Sequence, residues 1–507
     1  MHLSEPKDAA AGTASSVGAD GATVSLAPPS LGSAAHRAAR NAAAVAAAEI
    51  SGKVATLAYT IAAARTLGPD DFGVFAYAVS FSLLVATIPA WGFDPILVQR
   101  GSADPAKIRV LFSETLTWRT ALAVPVFGAA ALAGFATRPD SRSAVALLVV
   151  LAASMVDVYG DAGRSAAAAL ERQGGTSKAF LVQRISTAIL AISALVLGFG
   201  VIGLCLAYLA GSLIGIIGVA VALRRLGVGF DLRSVNREGM ARTGRLSVAI
   251  GLDTVVSLLL FRVDQVILGA LKGDAAVGEY AAAYRLLETV LFLSWAVGRA
   301  VLPSMSSRPD GRRVGRGFEQ AVAAVALVYV PFGVLLLMEA EPAIRLLYGS
   351  AYAAAGAPIA RWLAPAPLLF AMSYLGAYAL LAQDRRWAMF GTSFAAAAFN
   401  VGANFLLIPS LSGTGAAIAT TTSFGVETVA TLALLVPAVG WIRLDRALVL
   451  PAVASAAMAV AVATLRTNVL VEAAVGGVVY LGVWYVLARW RSPDQLAIIR
   501  SVIPWRR

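Results

Sequence analysis

Residues 72–93 (FGVFAYAVSFSLLVATIPAWGF) run for 22 positions without a charge, and residues 185–223 run for 39. Hydrocarbon offers a backbone amide no partner outside its own helix. A helix needs about 20 apolar residues to cross a bilayer. The first run is therefore one membrane pass. The second is too long for one, and GFGVIG at 198–203 divides it into two. The same character extends over the whole chain, which is 59% hydrophobic and 14% charged, with a mean hydropathy of +0.76. Soluble domains do not reach such values. The prediction is an all-α polytopic membrane protein.

Apolar windows and their Gly, Pro and charge breaks predict about 14 transmembrane helices. They fall near 42–66, 71–93, 107–135, 143–171, 178–198, 201–224, 244–271, 275–304, 317–339, 355–382, 387–409, 413–438, 447–465 and 470–489. The corresponding divisions are a disordered tail (1–41), a six-helix lobe (42–225) and a basic linker (226–243). A second six-helix lobe (244–438), helices 13 and 14 (439–490) and a basic tail (491–507) follow. Loops alternate in charge. The loop after helix 6 carries Arg224, Arg225, Arg233, Arg237, Arg242 and Arg245, whereas GPDD (68–71) and KGDAA (272–276) carry no excess of positive charge. The positive-inside rule then puts both termini in the cytoplasm. The net charge of +12 is mostly this topology, which argues against a nucleic-acid partner.

Other classes are restricted too. Cys205 is the only cysteine, so no intramolecular disulfide exists, and His2 and His36 precede the first span. No GxxxxGK[ST] phosphate loop occurs, so an ion gradient or the membrane potential is the expected energy source. No cofactor and no metal are expected. Outward loops are short, which weighs against an enzyme.

An internal repeat is legible. DDFGVFAYAVS (70–80) matches AAVGEYAAAYR (275–285) at a shift of 205 residues, and GVIGLCLAYL (200–209) echoes SGTGAAIATT (412–421) at a shift of 212. Six helices separate the copies, an even number, so both point the same way. This is a parallel pseudo-repeat with a site expected between the halves.

Four stretches in order carry a family likeness: ARTLGPDDFGVFAYAVS with WGFDPILVQR, RVDQVILGALKGDAAVGEYAAAYRLLE with LPSMS, LYGSAYAAAGAPIARWLA, and FNVGANFLLIPSLSGTGAAIATTTS. Together they resemble the polysaccharide (O-antigen-type) flippases of the multidrug/oligosaccharidyl-lipid/polysaccharide exporter superfamily, over residues 40–490. The resemblance implies two six-helix lobes around a cavity, plus two extra C-terminal helices. It implies movement of an undecaprenyl-diphosphate-linked oligosaccharide from the inner to the outer leaflet of the cytoplasmic membrane, for polysaccharide biosynthesis, by alternating access. Membrane lipids and the lipid-linked glycan are the implied partners, with a polysaccharide polymerase and glycosyltransferases as protein partners. Arg285-Leu286 resembles a helix-8 position where lipid II flippases carry a cavity arginine. The Arg-Asp pair typical of their first helix is missing from ATLAYTIAA (55–63). The drug-extruding branch carries an acid deep in helix 1; here Glu49 is followed one turn later by Lys53. The alternatives are therefore an ion-coupled multidrug or small-molecule antiporter, a lipid II flippase, and a scaffold that gathers glycosyltransferases.

Charges inside spans are functional candidates, because each costs several kcal/mol without water, a partner or a ligand. Arg285, Glu288 and Arg299 fall within about 60° of one helical face. They read either as an intrahelical ion pair or as a diphosphate site, since a guanidinium fork matches phosphate oxygens. Arg262 and Asp264 point apart on helix 7, with Asp264 on the stripe of Asp253 and near enough to the outer end to snorkel. Either forms a structural pair with a neighbouring helix or the headgroups, or lines the cavity. Arg164, Arg119 and Lys53 complete the cavity candidates. Asp157, Asp161, Asp253, Glu49 and Glu114 are the coupling or gating candidates. Asn400 and Asn404 read as interhelical hydrogen bonds.

Overall fold

The computed structural model describes residues 31–491 apart from 138–139, 307–309 and 466, with side chains from residue 50 onward except at 137, 303, 304, 306 and 491. The tail expected at 1–41 lies outside the described residues up to position 30; its last part belongs to the first helix. The basic tail beyond Arg491 also lies outside them.

Every described element is helical. In order they are α1 (Leu31–Ala90), α2 (Phe93–Ala103), α3 (Ile108–Thr137), α4 (Ser141–Ala169), α5 (Gly174–Val196), α6 (Gly200–Arg225), α7 (Arg237–Lys272) and α8 (Asp274–Ser306). They continue with α9 (Gly311–Tyr348), α10 (Ser350–Leu363), α11 (Ala366–Ala382), α12 (Arg386–Val439), α13 (Leu444–Leu465) and α14 (Val469–Arg491). Eleven helical segments are apolar and long enough to cross a membrane. Two of them are double. Residues 50–90 and α12 contain non-helical residues at Gly68 and Ser412, where the chain leaves helical geometry between two membrane-length arms. The α8 helix, also of membrane length, adds one more pass and carries Glu279, Arg285, Glu288 and Arg299. The result is fourteen passes of a multi-pass membrane protein.

Three details depart from the hydropathy reading. Residues 93–103 form a short helix, α2, where a loop was expected, and the tenth pass is broken into α10 and α11 at Ala364-Pro365. Proline lacks the N–H that a continuous helix requires and suits a first turn. The stretch 340–348, expected as a loop, continues α9 past a bend at Glu339 (φ −107°, ψ 23°).

Helix ends follow side-chain chemistry. The Asn236 carboxamide accepts from Gly239 N at 2.7 Å and starts α7, and Asp140 accepts from Ser143 N at 3.1 Å and starts α4. Such caps replace bonds the first turn cannot make internally. Gly68 and Gly273, related by the 205-residue shift, both adopt positive φ (75° and 83°) and open the two matching reversals.

The same shift governs how the halves meet. A Cβ on Gly73 would stand 1.8 Å from the Asp274 carbonyl oxygen, and one on Gly278 would stand 2.0 Å from that of Pro69. The pairs 73/278 and 69/274 exchange places under the shift, so α1 and α8 cross backbone to backbone about a local two-fold. Around this crossing lies a core that includes Phe72, Tyr280, Tyr284, Tyr348 and Tyr352. Outside the two halves, α13 packs on α9, and α14 on α13, through Leu450, Met458, Tyr480 and Trp484. The Tyr480 hydroxyl donates to the Leu327 carbonyl at 2.7 Å.

Candidate functional site

Arg262 and Arg285 converge on one carboxylate. Arg262 Nη2 donates to Glu288 Oε1 at 2.6 Å, and Arg285 Nη1 donates to Glu288 Oε2 at 2.7 Å. Arg262 lies ten residues before Lys272, the end of α7, and Arg285 eleven after Asp274, the start of α8. At 1.5 Å per residue both sit roughly 15 Å from that end, about the middle of a 30 Å hydrocarbon core. Lys53, on the first arm of α1, stands with Nζ 5.2 Å from the centroid of the Trp295 ring on α8. Beside this group, Arg184 of α5 lies over the Phe180 ring at 4.9 Å and packs against Gly52. Phe180 receives a second guanidinium, that of Arg164, at 5.1 Å.

Toward the basic end of the molecule a cavity of about 500 Å³ opens between the halves. Its charged lining is Asp94, Asp161, Arg164 and Arg299. Arg164 pairs with Asp161 one turn away. Arg299, exposed, bonds the Trp295 carbonyl of its own helix at 3.3 Å. It therefore does not join Arg285. The two share a helical face, but fourteen residues put them about 21 Å apart along α8.

The remaining candidates separate by depth. Asp264 does not snorkel. It is fully buried among α7, α8 and α12, where the Tyr280 hydroxyl, Thr420 Oγ1 (3.1 Å) and Gln265 N (2.7 Å) donate to it. Protein donors have replaced water, which is what an acid facing the bundle interior requires. Nor does Asp253 form a unit with Asp264. It is half-buried and lies within electrostatic range of Glu427, which accepts from Ser373 at 3.1 Å and Ser393 at 2.8 Å. Asp157 accepts from Gln183 Nε2 at 2.8 Å, between α4 and α5. Arg119 is completely buried, 2.6 Å from Asp94 Oδ1, and has no cavity surface. Glu114 is buried and bound to Arg100 (3.5 Å) and to the Thr243 hydroxyl (2.7 Å), which joins α2 and α3 to α7. The Glu49 side chain lies outside the described residues. Asn404 Nδ2 bonds Asn400 on its own helix, at the Oδ1 (3.0 Å) and the carbonyl (2.9 Å), so this pair is intrahelical.

Two residues at these positions carry no sequence signal that charge-counting inside spans detects. Asp94 and Arg100 sit in WGFDPILVQR, past the end of a hydropathy window. Arg184, by contrast, lies inside the predicted fifth span (178–198) and carries the signal, although it is not among the candidates above. Glu427 was legible, as a lone acid in an apolar span.

The halves touch at both ends of the molecule. At the basic end, Arg100 Nη1 donates to Thr243 Oγ1 at 2.6 Å and Trp118 Nε1 to the Met240 carbonyl at 3.0 Å. At the opposite end, Arg65 Nε donates to the Leu347 carbonyl at 2.8 Å and the Tyr352 hydroxyl to that of Ala64 at 3.0 Å. Deeper on that side, Ser80 donates to Gln265 Oε1 at 2.6 Å.

This architecture is shared with known transporters. The lipid II flippase MurJ, in an inward closed conformation, superposes with a TM-score of 0.76 at 12% identity, covering 88% of this chain and 98% of that one. An inward-facing multidrug resistance MATE transporter of the MOP superfamily gives a TM-score of 0.62 at 16% identity, covering 76% and 95%. A MOP-superfamily transporter from Pyrococcus furiosus gives 0.55 at 15%, covering 79% and 95%. At such identities the likeness is one of fold. Comparison with curated protein sequences finds no significant match. The sequence model of one family, described as polysaccharide biosynthesis protein, matches residues 62–356. That span is more than half of the chain, and it holds the α1–α8 crossing and the arginine pair on Glu288: the chain belongs to the polysaccharide biosynthesis protein family.

Proposed function

We propose that this protein is a flippase that moves an undecaprenyl-diphosphate-linked oligosaccharide from the inner to the outer leaflet of the cytoplasmic membrane. The observation that carries the reading is the convergence of Arg262 and Arg285, from two helices, at mid-membrane depth beside Lys53. Cations held at that depth need anions, and a diphosphate on a lipid tail is an anion that must cross there. A guanidinium pair fits it better than ammonium groups would, because each fork offers parallel donors to phosphate oxygens. Membership of a polysaccharide biosynthesis family supports a glycan as the cargo, with a polymerase and glycosyltransferases as working partners. Hydrophobic cationic drugs would meet two arginines and a lysine in this position, which disfavours the antiporter alternative.

In this reading the two halves rock against each other, so that the cavity opens to one leaflet at a time and the Gly73–Gly278 crossing parts when its own end opens. The basic loops, and with them both termini, face the cytoplasm. The test is reconstitution into liposomes with a fluorescent polyprenyl-diphosphate oligosaccharide, with quenching of outer-leaflet label as the readout. Acceleration over protein-free liposomes is expected. An equal rate for a free lipid without the diphosphate would remove the basis for this assignment.

A further inference from the structure

One carboxylate serves two guanidiniums at mid-membrane. Glu288 gives a separate oxygen to Arg262 and to Arg285. Arg262 Nε is buried and has no hydrogen-bond partner, so the fork of Arg262 is only half used. A phosphate has enough oxygens to take both faces of that fork and the Arg285 guanidinium as well. A single carboxylate spread between two helices does not.

We propose that Glu288 is an exchangeable counter-ion, a positioning residue that holds the diphosphate's place on Arg262 and Arg285 while the site is empty and leaves when substrate enters. The inference rests on the diphosphate reading above. Its physical basis is that a flippase must cross its empty state on every cycle. Two bare guanidiniums at that depth would oppose closure, and a carboxylate three residues from Arg285 on the same helix is always at hand. It is also weak enough to yield, since a diphosphate brings at least one more negative charge and more acceptors. On leaving, Glu288 has Lys53 as the next cation in its field. Lys53 belongs to the opposite half of the molecule, so exchange converts an α7–α8 link within one half into an α8–α1 link between halves. Occupancy of the site is thereby conveyed to the contact that has to move.

The experiment measures calorimetric binding of inorganic pyrophosphate to the purified full-length protein, with transport kinetics in liposomes. Glu288→Gln keeps the shape of the side chain and removes its competing charge. It is expected to bind pyrophosphate about tenfold more tightly than wild type, which is about 1.4 kcal/mol. Transport by the same variant should show a lower KM together with a lower kcat, because release then lacks the returning carboxylate. Glu279→Gln removes a negative charge from the same helix about 14 Å away, too far to occupy either guanidinium, and should raise affinity much less than Glu288→Gln does. Glu288→Asp retains the charge on a shorter stem and should fall between wild type and Glu288→Gln; if Glu288→Gln fails to fold, this variant decides. Binding by wild type with no gain in either Glu288 variant, or an equal gain in Glu279→Gln, overturns the exchange. Absence of binding in wild type and variants alike overturns the diphosphate reading, and the exchange with it.

Discussion

Arg262 changes what a charge-swap experiment on Arg285 means. Spacing alone makes Arg285 and Glu288 a pair, since i and i+3 share a helical face; the third member comes from another helix and has no local signature. The partners of Asp264 eluded a sequence reading for the same reason, because its solvation by Tyr280 and Thr420 is assembled from three helices. Replacing only Arg285 and Glu288 by apolar residues would strand Arg262 without its carboxylate, and an uncompensated buried charge is strongly destabilising. The clean variant therefore removes all three charges, as Arg262→Met, Arg285→Met and Glu288→Leu together. Buried ion clusters replaced by apolar residues of similar volume often stay folded, so normal membrane levels by immunoblot are expected. Transport is expected to vanish. Arg285→Lys alone should keep a small part of it, because the ammonium retains charge but not the fork. Normal export by the triple variant would make the cluster structural.

At the scale of elements, hydropathy foretells the number of passes, because hydrocarbon thickness sets their length and nothing else competes. It does not reveal α2, which is too short to register, nor the Ala364-Pro365 break, where Gly333 of α9 comes close to the interrupted helix. The glycines of the repeat were visible as a pattern, but their reason lies in the α1–α8 crossing. Gly73→Ala would place a methyl 1.8 Å from the Asp274 carbonyl, with backbone on the other side that cannot swing away. The variant is expected to hold that end of the molecule apart. Labelling of a cysteine placed at Ser80 by an impermeant maleimide should rise at least several-fold, and an unchanged rate would show that the crossing takes in the methyl without parting. Helices α13 and α14 pose the opposite case. They pack on α9 and on each other, and the arginine pair and the α1–α8 crossing draw their described partners from other helices. A chain ending near residue 440 should therefore still insert and fold its first twelve passes. We expect it to lose transport of substrates with long lipid tails while still binding inorganic pyrophosphate at the cluster. Full complementation of a flippase-deficient strain by that truncation would remove any role for the pair.

For the whole molecule, the decisive arrangement is that both ends are joined while the charged cluster and the cavity lie between. A parallel repeat leads one to expect a site between halves; what the two echoes in the sequence made legible is the paired approach of Gly73 and Gly278. The joints were not legible, because Arg100–Thr243 and Ser80–Gln265 connect ordinary polar residues 143 and 185 positions apart. Rocking requires each joint to break while the other holds, so locking either one should stop the cycle. The buried Cys205 is first replaced by Ala to leave a background without thiols. Arg100→Cys with Thr243→Cys then tests the basic end, and Ser80→Cys with Gln265→Cys tests the opposite end. Each pair is bridged by a short bifunctional reagent that a reductant cleaves. Both cross-linked proteins are expected to lose transport and to regain most of it on reduction, whereas the four single cysteines should transport before and after treatment. The two locks should also differ in what they trap. A basic end held shut should leave the cluster closed to pyrophosphate added on the side of the basic loops, and the opposite lock should leave it open to that side. Transport that persists with both joints cross-linked at once would mean that the halves do not move against each other. The substrate would then have to pass along a path outside the cavity, and the arginine pair would lie off its route.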